Sequence, residues 1–125
     1  MPSKTVIRCR GLVKGQAEGE ALVAPTTLSF WGEVDPLTGR VLAEGHPLQG
    51  QCLGGKVLVI GLAHGEGNAP AAFVNTNIDA LAVLGCVVNR IPMVAELDRD
   101  PFGAIETGDY VRIDADRGTI EVTKR

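Results

Sequence analysis

Two apolar runs separated by a glycine-rich segment restrict the fold of this chain more than any other feature. The first run, residues 57–60, follows Lys56 and is typical of a buried strand. The second run covers residues 71–74 and predicts the next strand. The segment between them holds three glycines, at positions 61, 65 and 67. Glycine-rich loops that leave buried strands often carry function, so this segment is either an active-site loop or a turn.

Length and composition indicate one domain with a real core. The chain has 125 residues, 45% of them hydrophobic, which suits a single domain over residues 1–125. The net charge is −3 and the charges are scattered, which argues against a nucleic-acid surface. There is no apolar run near the ~20 residues of a membrane helix, and the N-terminus does not resemble a signal peptide. We therefore expect a cytoplasmic protein without a membrane partner.

The cysteines and histidines do not predict a metal site. Cys9, Cys52 and Cys86 are widely separated and form no CxxC pair, which argues against a disulfide framework and a zinc ribbon. They cannot supply a complete four-cysteine iron–sulfur site, and we expect small buried apolar side chains instead. His46 and His64 make a poor metal site without a third ligand, and His46, before Pro47, is typical of a hydrogen-bonded turn residue.

Apolar runs divided by glycine and proline predict a β-rich domain with a few short helices. A turn is expected at 35–39. Asn77 is a predicted N-cap for a helix over 78–84, with Gly85 ending it, and Pro101 predicts one helical turn over 101–106. A closing hairpin is expected to turn at 116–118. The predicted strands cover 6–10, 20–24, 27–31, 40–43, 56–60, 71–75, 109–113 and 119–122.

Five sequence blocks occur in collinear order along nearly the whole chain. They read GQAEGEALV at 15–23, LSFWGEVDPLTGRV at 28–41, HPLQGQCLGGKVLVI at 46–60, APAAFV at 69–74 and IPMVAELDRDPFGAIETGDYVRIDADRGTIEV at 91–122. SFWG followed by VDPLTG, and HPLQG followed by GKVLV, are far more specific than a lone glycine motif. Together the blocks resemble the small subunit, or swivel domain, of the aconitase X enzymes.

The resemblance implies both a fold and an activity. The family fold is the swivelling β/β/α domain, an α/β, β-rich architecture whose closed, barrel-like sheet carries short helices outside. Members work with a larger catalytic subunit that holds an iron–sulfur cluster or metal, and the pair dehydrates a hydroxy acid. The resemblance thus implies a heterodimeric hydro-lyase whose small subunit binds no cofactor and is inactive alone. The substrate is mevalonate 5-phosphate in archaeal-type members, which the IPMV and TGDYV segments favour, or cis-3-hydroxyproline in bacterial-type members.

The segment after GKVLV departs from the family pattern. Members of the family have a serine-rich loop there, whose serine is understood to act as the base, and then a helix that leads to the APAA strand. This chain reads IGLAHGEGN and reaches APAAFV directly, and its only serines are Ser3 and Ser29. The family serine therefore has no counterpart. His64 and Glu66 remain weak candidates for the base: histidine titrates near neutral pH, whereas Glu66 would need a raised pKa.

The remaining candidate residues are expected to line the substrate site or the subunit interface. Trp31 is a candidate interface anchor, although it could equally pack into the core. The other candidates are Ser29, Gly32, Gly61, Gly65, Gly67 and Asn68. Three hypotheses stay open: a subunit of a dehydratase, a binding or scaffold module whose serine loop was shortened naturally or by engineering, and a free-standing enzyme that uses His64 and Glu66.

Overall fold

The computed structural model describes residues 4–29, 32–35, 37–64, 70–77 and 80–124, without the side chains of 62–64 and 81. Within these residues the chain forms eight strands and two helices. They are β1 (Lys4–Arg8), β2 (Arg10–Val13), β3 (Gln16–Ser29), β4 (Val57–His64), β5 (Ala72–Asn75), α1 (Ala80–Asn89), β6 (Met93–Ala95), α2 (Pro101–Ala104), β7 (Tyr110–Asp114) and β8 (Thr119–Thr123).

The strands form one sheet in the order β1-β8-β7-β3-β4-β5-β6-β2. The long strand β3 belongs to two parts of it. Residues 16–20 pair antiparallel with β7, and residues 21–29 pair parallel with β4. We call β1, β8, β7 and residues 16–20 the antiparallel half, and residues 21–29, β4, β5 and β6 the parallel half. β2 completes the order by pairing antiparallel with β6.

The two ends of the strand order are consecutive in the chain. β1 and β2 are separated only by Cys9, whose N–H donates to the carbonyl of Gly118 at 2.9 Å. A side chain at Gly11 would collide with the carbonyl oxygen of Ala115, so β2 crosses closely beneath the β7–β8 connection. No ladder joins β1 to β2 in the described residues, so the eight-stranded sheet is open there. The predicted α/β, β-rich fold with a few short helices is confirmed in this form.

Each face of the parallel half is buried in a different core. Along β4, Leu58 and Ile60 point into a cluster that includes Ala82 and Cys86 of α1. Val57 and Val59 point the other way, into a cluster with side chains of the antiparallel half such as Ile113. Alternation of strand side chains produces this division. Burial on both faces explains why 57–60 is a continuous apolar run.

The sequence predicts that helix α1 ends at Gly85, but the helix continues to Asn89. Gly85 is buried within the helix. The left-handed position that follows a helix is occupied by Arg90, with φ of 56°, and the next N–H, that of Ile91, donates to the carbonyl of Cys86 at 2.9 Å. The end of α1 is therefore set by a left-handed backbone conformation at position 90. Glycine adopts this conformation most easily, but the residue here is arginine.

Four predicted strands are merged, broken or missing in the structure, and a fifth, 56–60, continues as β4 to His64. The sequence predicts separate strands over 20–24 and 27–31, but β3 runs through Pro25, and its register shifts between Ala24 and Thr27. A proline in a strand is tolerated at such an irregularity. The strand predicted over 6–10 is broken at Cys9 into β1 and β2. Residues 40–43 form only isolated bridges, Val34 with Val41 and Arg40 with Cys52. Their other backbone groups bond mainly to residues 33, 35, 50 and 51 of the same β3–β4 connection.

The C-terminal predictions are confirmed. β7 and β8 form the expected hairpin in full register from Tyr110 with Thr123 to Asp114 with Thr119. Gly118 adopts φ of 70° in its turn. Pro101 begins α2, and the side chain of Asp100 caps it by accepting from the N–H of Phe102 at 3.0 Å.

Candidate functional site

The carboxyl ends of parallel strands meet at one edge of the sheet. β3 ends at Ser29 and β4 at His64, and these two residues are paired in register. β5 ends one strand further along, at Asn75, which pairs with Ile60. Ligands of open parallel sheets bind outside the carboxyl ends of their strands. We call Ser29, His64, Asn75 and the two residues after β5 the carboxyl edge, and it is the candidate site.

Gly61 holds the carboxyl edge together. Its carbonyl accepts three hydrogen bonds: from the N–H of Asn77 at 2.8 Å, from Oγ1 of Thr76 at 3.1 Å and from Nδ2 of Asn77 at 3.3 Å. A Cβ at this position would lie 2.9 Å from the carbonyl oxygen of Thr26, so a side chain is not accommodated without a shift. Gly61 thus fastens the residues after β5 to β4, while its predicted contact with substrate stays a prediction.

Asn75 is fully buried, and neither its Oδ1 nor its Nδ2 has a hydrogen-bond partner. It lies between the tightly bonded Gly61–Thr76–Asn77 group and the core residue Val74. Leaving such a group without partners costs about 1–3 kcal/mol. The amide of Asn75, at the end of a parallel strand, therefore needs a further polar group to complete its hydrogen bonds.

Ser29 and Gly32 lie at the neighbouring strand end. The N–H of Ser29 donates to Oε1 of Glu33 at 2.7 Å, which folds the chain back directly after β3. Gly32 adopts φ of 83° in this turn. The structure therefore brings Ser29 and the backbone of His64 together, with Gly61 three positions before His64 on β4.

Several predicted site residues lie outside the described part of the chain. These are Trp31, Gly65, Glu66, Gly67 and Asn68, together with the side chain of His64. The predicted N-cap role of Asn77 also stays untested, because residues 78 and 79 are not described.

The connection from β4 to β5 is short for its topology. The two strands are parallel neighbours, with Val57 paired to Ala72. Parallel neighbours are usually joined by a dozen or more residues that include a helix. Here only residues 65–71 lie between His64 and Ala72. The length of the chain thus leaves this crossover without the helix-sized segment that such units usually contain.

A small cavity of about 190 Å³ opens at the carboxyl edge. It is lined by Asn75, Thr76, Glu96, Leu97, Arg99 and Pro101. Sites for small organic ligands usually measure about 300–1,000 Å³. The cavity at the carboxyl edge is therefore smaller than a usual site for a small organic ligand.

His46 is a structural turn residue, as predicted. Its Nδ1 accepts from the N–H of Leu48 at 3.0 Å, so Nε2 carries the proton and donates to the carbonyl of Thr27 at 3.0 Å. Both ring nitrogens are thus engaged, and the ring links the long β3–β4 connection to β3.

The three cysteines are free thiols in different environments. Burial raises the pKa of Cys86 to about 12. Burial, with the charge of Asp98 as a second cause, raises the pKa of Cys9 to about 11. The prediction of buried cysteines holds for Cys86 and in part for Cys9, but it is wrong for Cys52, which is exposed in a loop where no core element covers it.

Two negative findings apply to the described part of the chain. There, no three histidine, cysteine, aspartate or glutamate side chains come close enough to hold a metal ion. None of the helices in the same residues has the length and apolar character needed to span a membrane.

Sequence reasoning missed Asn75, Thr76 and Asn77 as site residues. A signal was present, because the polar run follows the apolar residues 71–74 without a break. It gained meaning only with the parallel register of β4 and β5, which brings these residues beside Gly61.

Comparison with known proteins agrees with the fold and the collinear blocks. The family model for the aconitase X swivel domain matches residues 6–122. The phosphomevalonate dehydratase small subunit of Methanococcoides burtonii is 37% identical, with 95% of this chain and 96% of that protein covered. The corresponding subunit of Methanosarcina mazei is 36% identical, with 93% and 90% covered.

A solved structure shows the same fold. The crystal structure of Thermococcus kodakaraensis aconitase X in its holo-form superimposes with a TM-score of 0.84 at 32% identity, covering 94% of this chain and 98% of that chain. The alignment with the Methanococcoides protein runs over 134 positions, more than the 125 residues present here, so that relative has residues without a counterpart in this sequence. Since the family model spans nearly all of the chain and relatives above 30% identity cover it almost completely, this chain belongs to the aconitase X swivel domain family.

Proposed function

We propose that this chain is the small subunit of a phosphomevalonate dehydratase, a hydro-lyase that removes water from mevalonate 5-phosphate together with a larger subunit. The observation that carries the proposal is the nearly full-length similarity to proteins named as that small subunit, at 37% and 36% identity. This similarity favours mevalonate 5-phosphate over cis-3-hydroxyproline as the substrate.

The geometry of the carboxyl edge supports a shared active site. Its cavity of about 190 Å³ is smaller than usual ligand sites, and the amide of Asn75 still lacks partners. A larger subunit that closes over this edge would complete the site. A substrate hydroxyl both accepts and donates, so it would satisfy Nδ2 and Oδ1 of Asn75 together.

We place the iron–sulfur cluster or metal of the reaction in the larger subunit. The donor set of the described residues does not fit such a group, because no three histidine, cysteine, aspartate or glutamate side chains there come close enough to hold a metal ion. Of the three free cysteines, only Cys52 is exposed. A cluster held by cysteines would need several thiolates in one place.

Dehydration that begins with removal of a proton from carbon needs a positioned base. The chain has no serine at the family's position, and its serines are Ser3 and Ser29. His64 is the stronger candidate on this chain because it ends β4 at the carboxyl edge, beside Ser29, and histidine titrates near neutral pH. Glu66 is the second candidate, and a base supplied by the larger subunit is the alternative to both.

Reconstitution with the larger subunit of the same organism tests the proposal. We expect a stable complex that converts mevalonate 5-phosphate to a product lighter by one water, measured by mass spectrometry, whereas this chain alone is inactive. A parallel reaction with cis-3-hydroxyproline should give no product. If no complex forms, the subunit function is wrong.

Two further outcomes separate the remaining hypotheses. A complex that is inactive until a serine-containing loop is inserted before Asn68 identifies this chain as a binding module that has lost its dehydratase role. In an active complex, unchanged rates for both His64→Ala and Glu66→Gln would assign the base to the larger subunit. The Glu18→Gln variant, altered at an exposed residue of the antiparallel half that pairs with Arg112 of β7, serves as the matched control.

A further inference from the structure

Helix α1 is apolar on every side, although it lies at the surface. Its sequence, ALAVLGCVVN, contains no charged residue. Ala82 and Cys86 pack into the core beneath it, whereas the exposed fractions of Leu84, Val87 and Val88 are 54%, 55% and 71%. A helix that is hydrophobic all round is normally buried, so this outer face is one that an assembly covers.

The exposed residues form a single stripe. Leu84, Val87 and Val88 are spaced by three and four residues, which places them on one side of a helix. At about 100° per residue this stripe lies opposite the one formed by Ala82 and Cys86. A neighbouring helix within the same layer would lie beside α1 rather than above it. The stripe therefore faces away from the core of the domain.

A groove continues the stripe at the C-terminal end of α1. It has a volume of about 610 Å³ and lies between α1 and β2. Leu12, Val13 and Val87 give it apolar walls, and Lys14, Arg90 and Asp116 give it a polar rim. Val87 belongs to both the stripe and the groove, so the two make one surface. We call the stripe and the groove together the α1 surface.

The rim of the α1 surface carries unpaired positive charge. Lys14 and Arg90 are exposed, and neither takes part in an ion pair with the described residues. The carboxylate of Asp116 accepts from the N–H of Gly15 at 3.1 Å. A ligand of the α1 surface would therefore combine apolar side chains with flanking carboxylates.

Arg90 occupies its position at a conformational disadvantage. Its φ of 56° lies in the left-handed region, which glycine adopts more easily than a residue with a Cβ. Glycine would close α1 equally well but would leave the groove without its guanidinium. Strained residues of this kind cluster at functional positions, which is a second reason, independent of the apolar stripe, to regard this surface as a contact site.

We propose that the α1 surface docks an apolar segment of the larger subunit that is flanked by acidic side chains. This inference rests on the proposed function for the existence of that subunit. A second copy of this chain fits less well, because two copies of the surface would bring Lys14 and Arg90 of each against the same two cations of the other. The single rim carboxylate, Asp116, already accepts from the N–H of Gly15.

Charge placed on the stripe tests the apolar part of the contact. Val87→Asp and Val88→Asp should each weaken binding of the larger subunit by about 30-fold or more, measured by calorimetry, because a desolvated apolar contact is replaced by a buried charge. Leu37→Asp is the matched control, since Leu37 is 93% exposed in the turn of the β3–β4 connection, and its affinity should not change. Equal affinities for all three variants and wild type would overturn the proposal.

Arg90→Gly tests the polar part of the contact. A purely structural role of Arg90 would not make the melting temperature and the affinity change in opposite directions. We expect its melting temperature to rise, because the left-handed strain is relieved, while its affinity for the larger subunit falls. Combined with Lys14→Gln, it should also reduce the dependence of affinity on salt concentration. A lower melting temperature with unchanged affinity would contradict the proposal.

Light scattering of this chain alone distinguishes the remaining occupant. A dimer that Val88→Asp converts to a monomer would assign the α1 surface to self-association instead. Failure of the wild-type chain to bind the larger subunit would overturn the proposed function as well. If the wild-type chain binds and the affinity of Val88→Asp is the same, only the proposed location of the interface is wrong.

Discussion

The two halves of the sheet differ in whether their buried polar side chains have hydrogen-bond partners. In the described residues two polar side chains are buried, Asp109 before β7 and Asn75 at the end of β5. Asp109 accepts from the N–H of Glu106 at 2.9 Å and from Nζ of Lys124 at 2.7 Å. The side-chain amide of Asn75 has no hydrogen-bond partner among the described residues. The buried polar side chain next to the antiparallel half is thus satisfied within the domain, whereas that of the parallel half is not.

The same contrast extends to the apolar surface. Strands β7 and β8 alternate between buried and partly or fully exposed residues, with Ile113 and Ile120 inside and Arg112 and Glu121 outside. This is the pattern of a sheet with one wet face. The parallel half is buried on both faces, and its helix α1 still exposes Val87 and Val88. Exposed large apolar side chains are therefore clustered on the helix of the parallel half, whereas the antiparallel half exposes only Val6 among its described residues.

Removal of a large side chain from the parallel core should have the largest effect on stability. Phe73 is fully buried in the cluster beneath α1, and Phe73→Ala should lower the free energy of unfolding by about 3–5 kcal/mol through lost burial and a cavity. Urea denaturation measures it, with the exposed Leu37→Ala as control. A loss below about 1 kcal/mol would show that this core is loosely packed, and the two halves could then not be compared as well-packed structures.

Removal of the buried carboxylate of the antiparallel half should have the next largest effect. Asp109→Ala leaves the N–H of Glu106 and the ammonium of Lys124 without their acceptor, and we expect a loss of about 1–3 kcal/mol in urea denaturation. Asp116→Ala, which changes an exposed carboxylate that accepts one backbone hydrogen bond, is the matched control. Equal losses for the two variants would mean that Asp109 is not a special contact.

Replacement of the buried amide of the parallel half should have the opposite sign. Asn75→Leu exchanges an unpaired amide for an apolar group of similar size, so the free energy of unfolding should rise by about 1 kcal/mol, while dehydration by the complex falls. Asn77→Leu should not stabilise the chain, because Asn77 is exposed and bonded to Gly61. Destabilisation by Asn75→Leu, or unchanged dehydration, would remove Asn75 from the candidate site.

Thiol ionisation should weaken the folded state at alkaline pH. The pKa of Cys86 is raised from 9.0 to about 12 and that of Cys9 to about 11, because burial disfavours the thiolate. Their contribution to stability is complete below pH 9 and is lost as the pH rises from there to about 12, because only the unfolded chain ionises easily in this range. The alkaline slope of unfolding should therefore decrease in Cys86→Ala. An unchanged slope would assign it to other groups.

The smallest effect is expected for an exposed ion pair of the antiparallel half. The guanidinium of Arg112 donates to Glu18 at 2.7 Å across β7 and β3, and this hydrogen bond holds the pKa of Glu18 below its ordinary value. Exposed pairs contribute little to stability, so Glu18→Gln should leave the thermal midpoint unchanged at neutral pH within experimental error. A clear drop in scanning calorimetry would show that the wet face of this half is more than a solvated surface.

Local chemistry predicted the antiparallel half well. The hairpin of β7 and β8 followed from strand alternation on both sides of Asp116, Arg117 and Gly118, and all of this information lies within fifteen consecutive residues, 109–123. The placement of β1 and β2 at opposite ends of the strand order did not follow from such patterns. It depends on pairings between segments that are distant in sequence, β1 with β8 and β2 with β6.

The parallel half was harder to predict because its determinants are distant in sequence. Gly85 signalled a helix end, but its burial against the core and the left-handed conformation of Arg90 moved that end beyond Asn89. Pro25 signalled a break, but the register shift in β3 accommodated it. The position of the carboxyl edge depends on which strands are parallel, and this pairing cannot be predicted from any single segment of the sequence. The residues of the glycine-rich segment beyond His64 lie outside the described structure, so their predicted roles stay predictions.

The position of Cys9 between the two ends of the strand order has a consequence during synthesis. Among the described residues β1 forms a ladder with β8 alone, with Lys4 beside Thr123 and Arg8 beside Thr119. Because β8 follows β1 by more than a hundred residues, β1 must remain unpaired during synthesis until β8 has emerged. Contacts so distant along the chain slow folding, and a chain shortened at its C-terminus would leave an open β-edge at its N-terminus that can pair with other molecules.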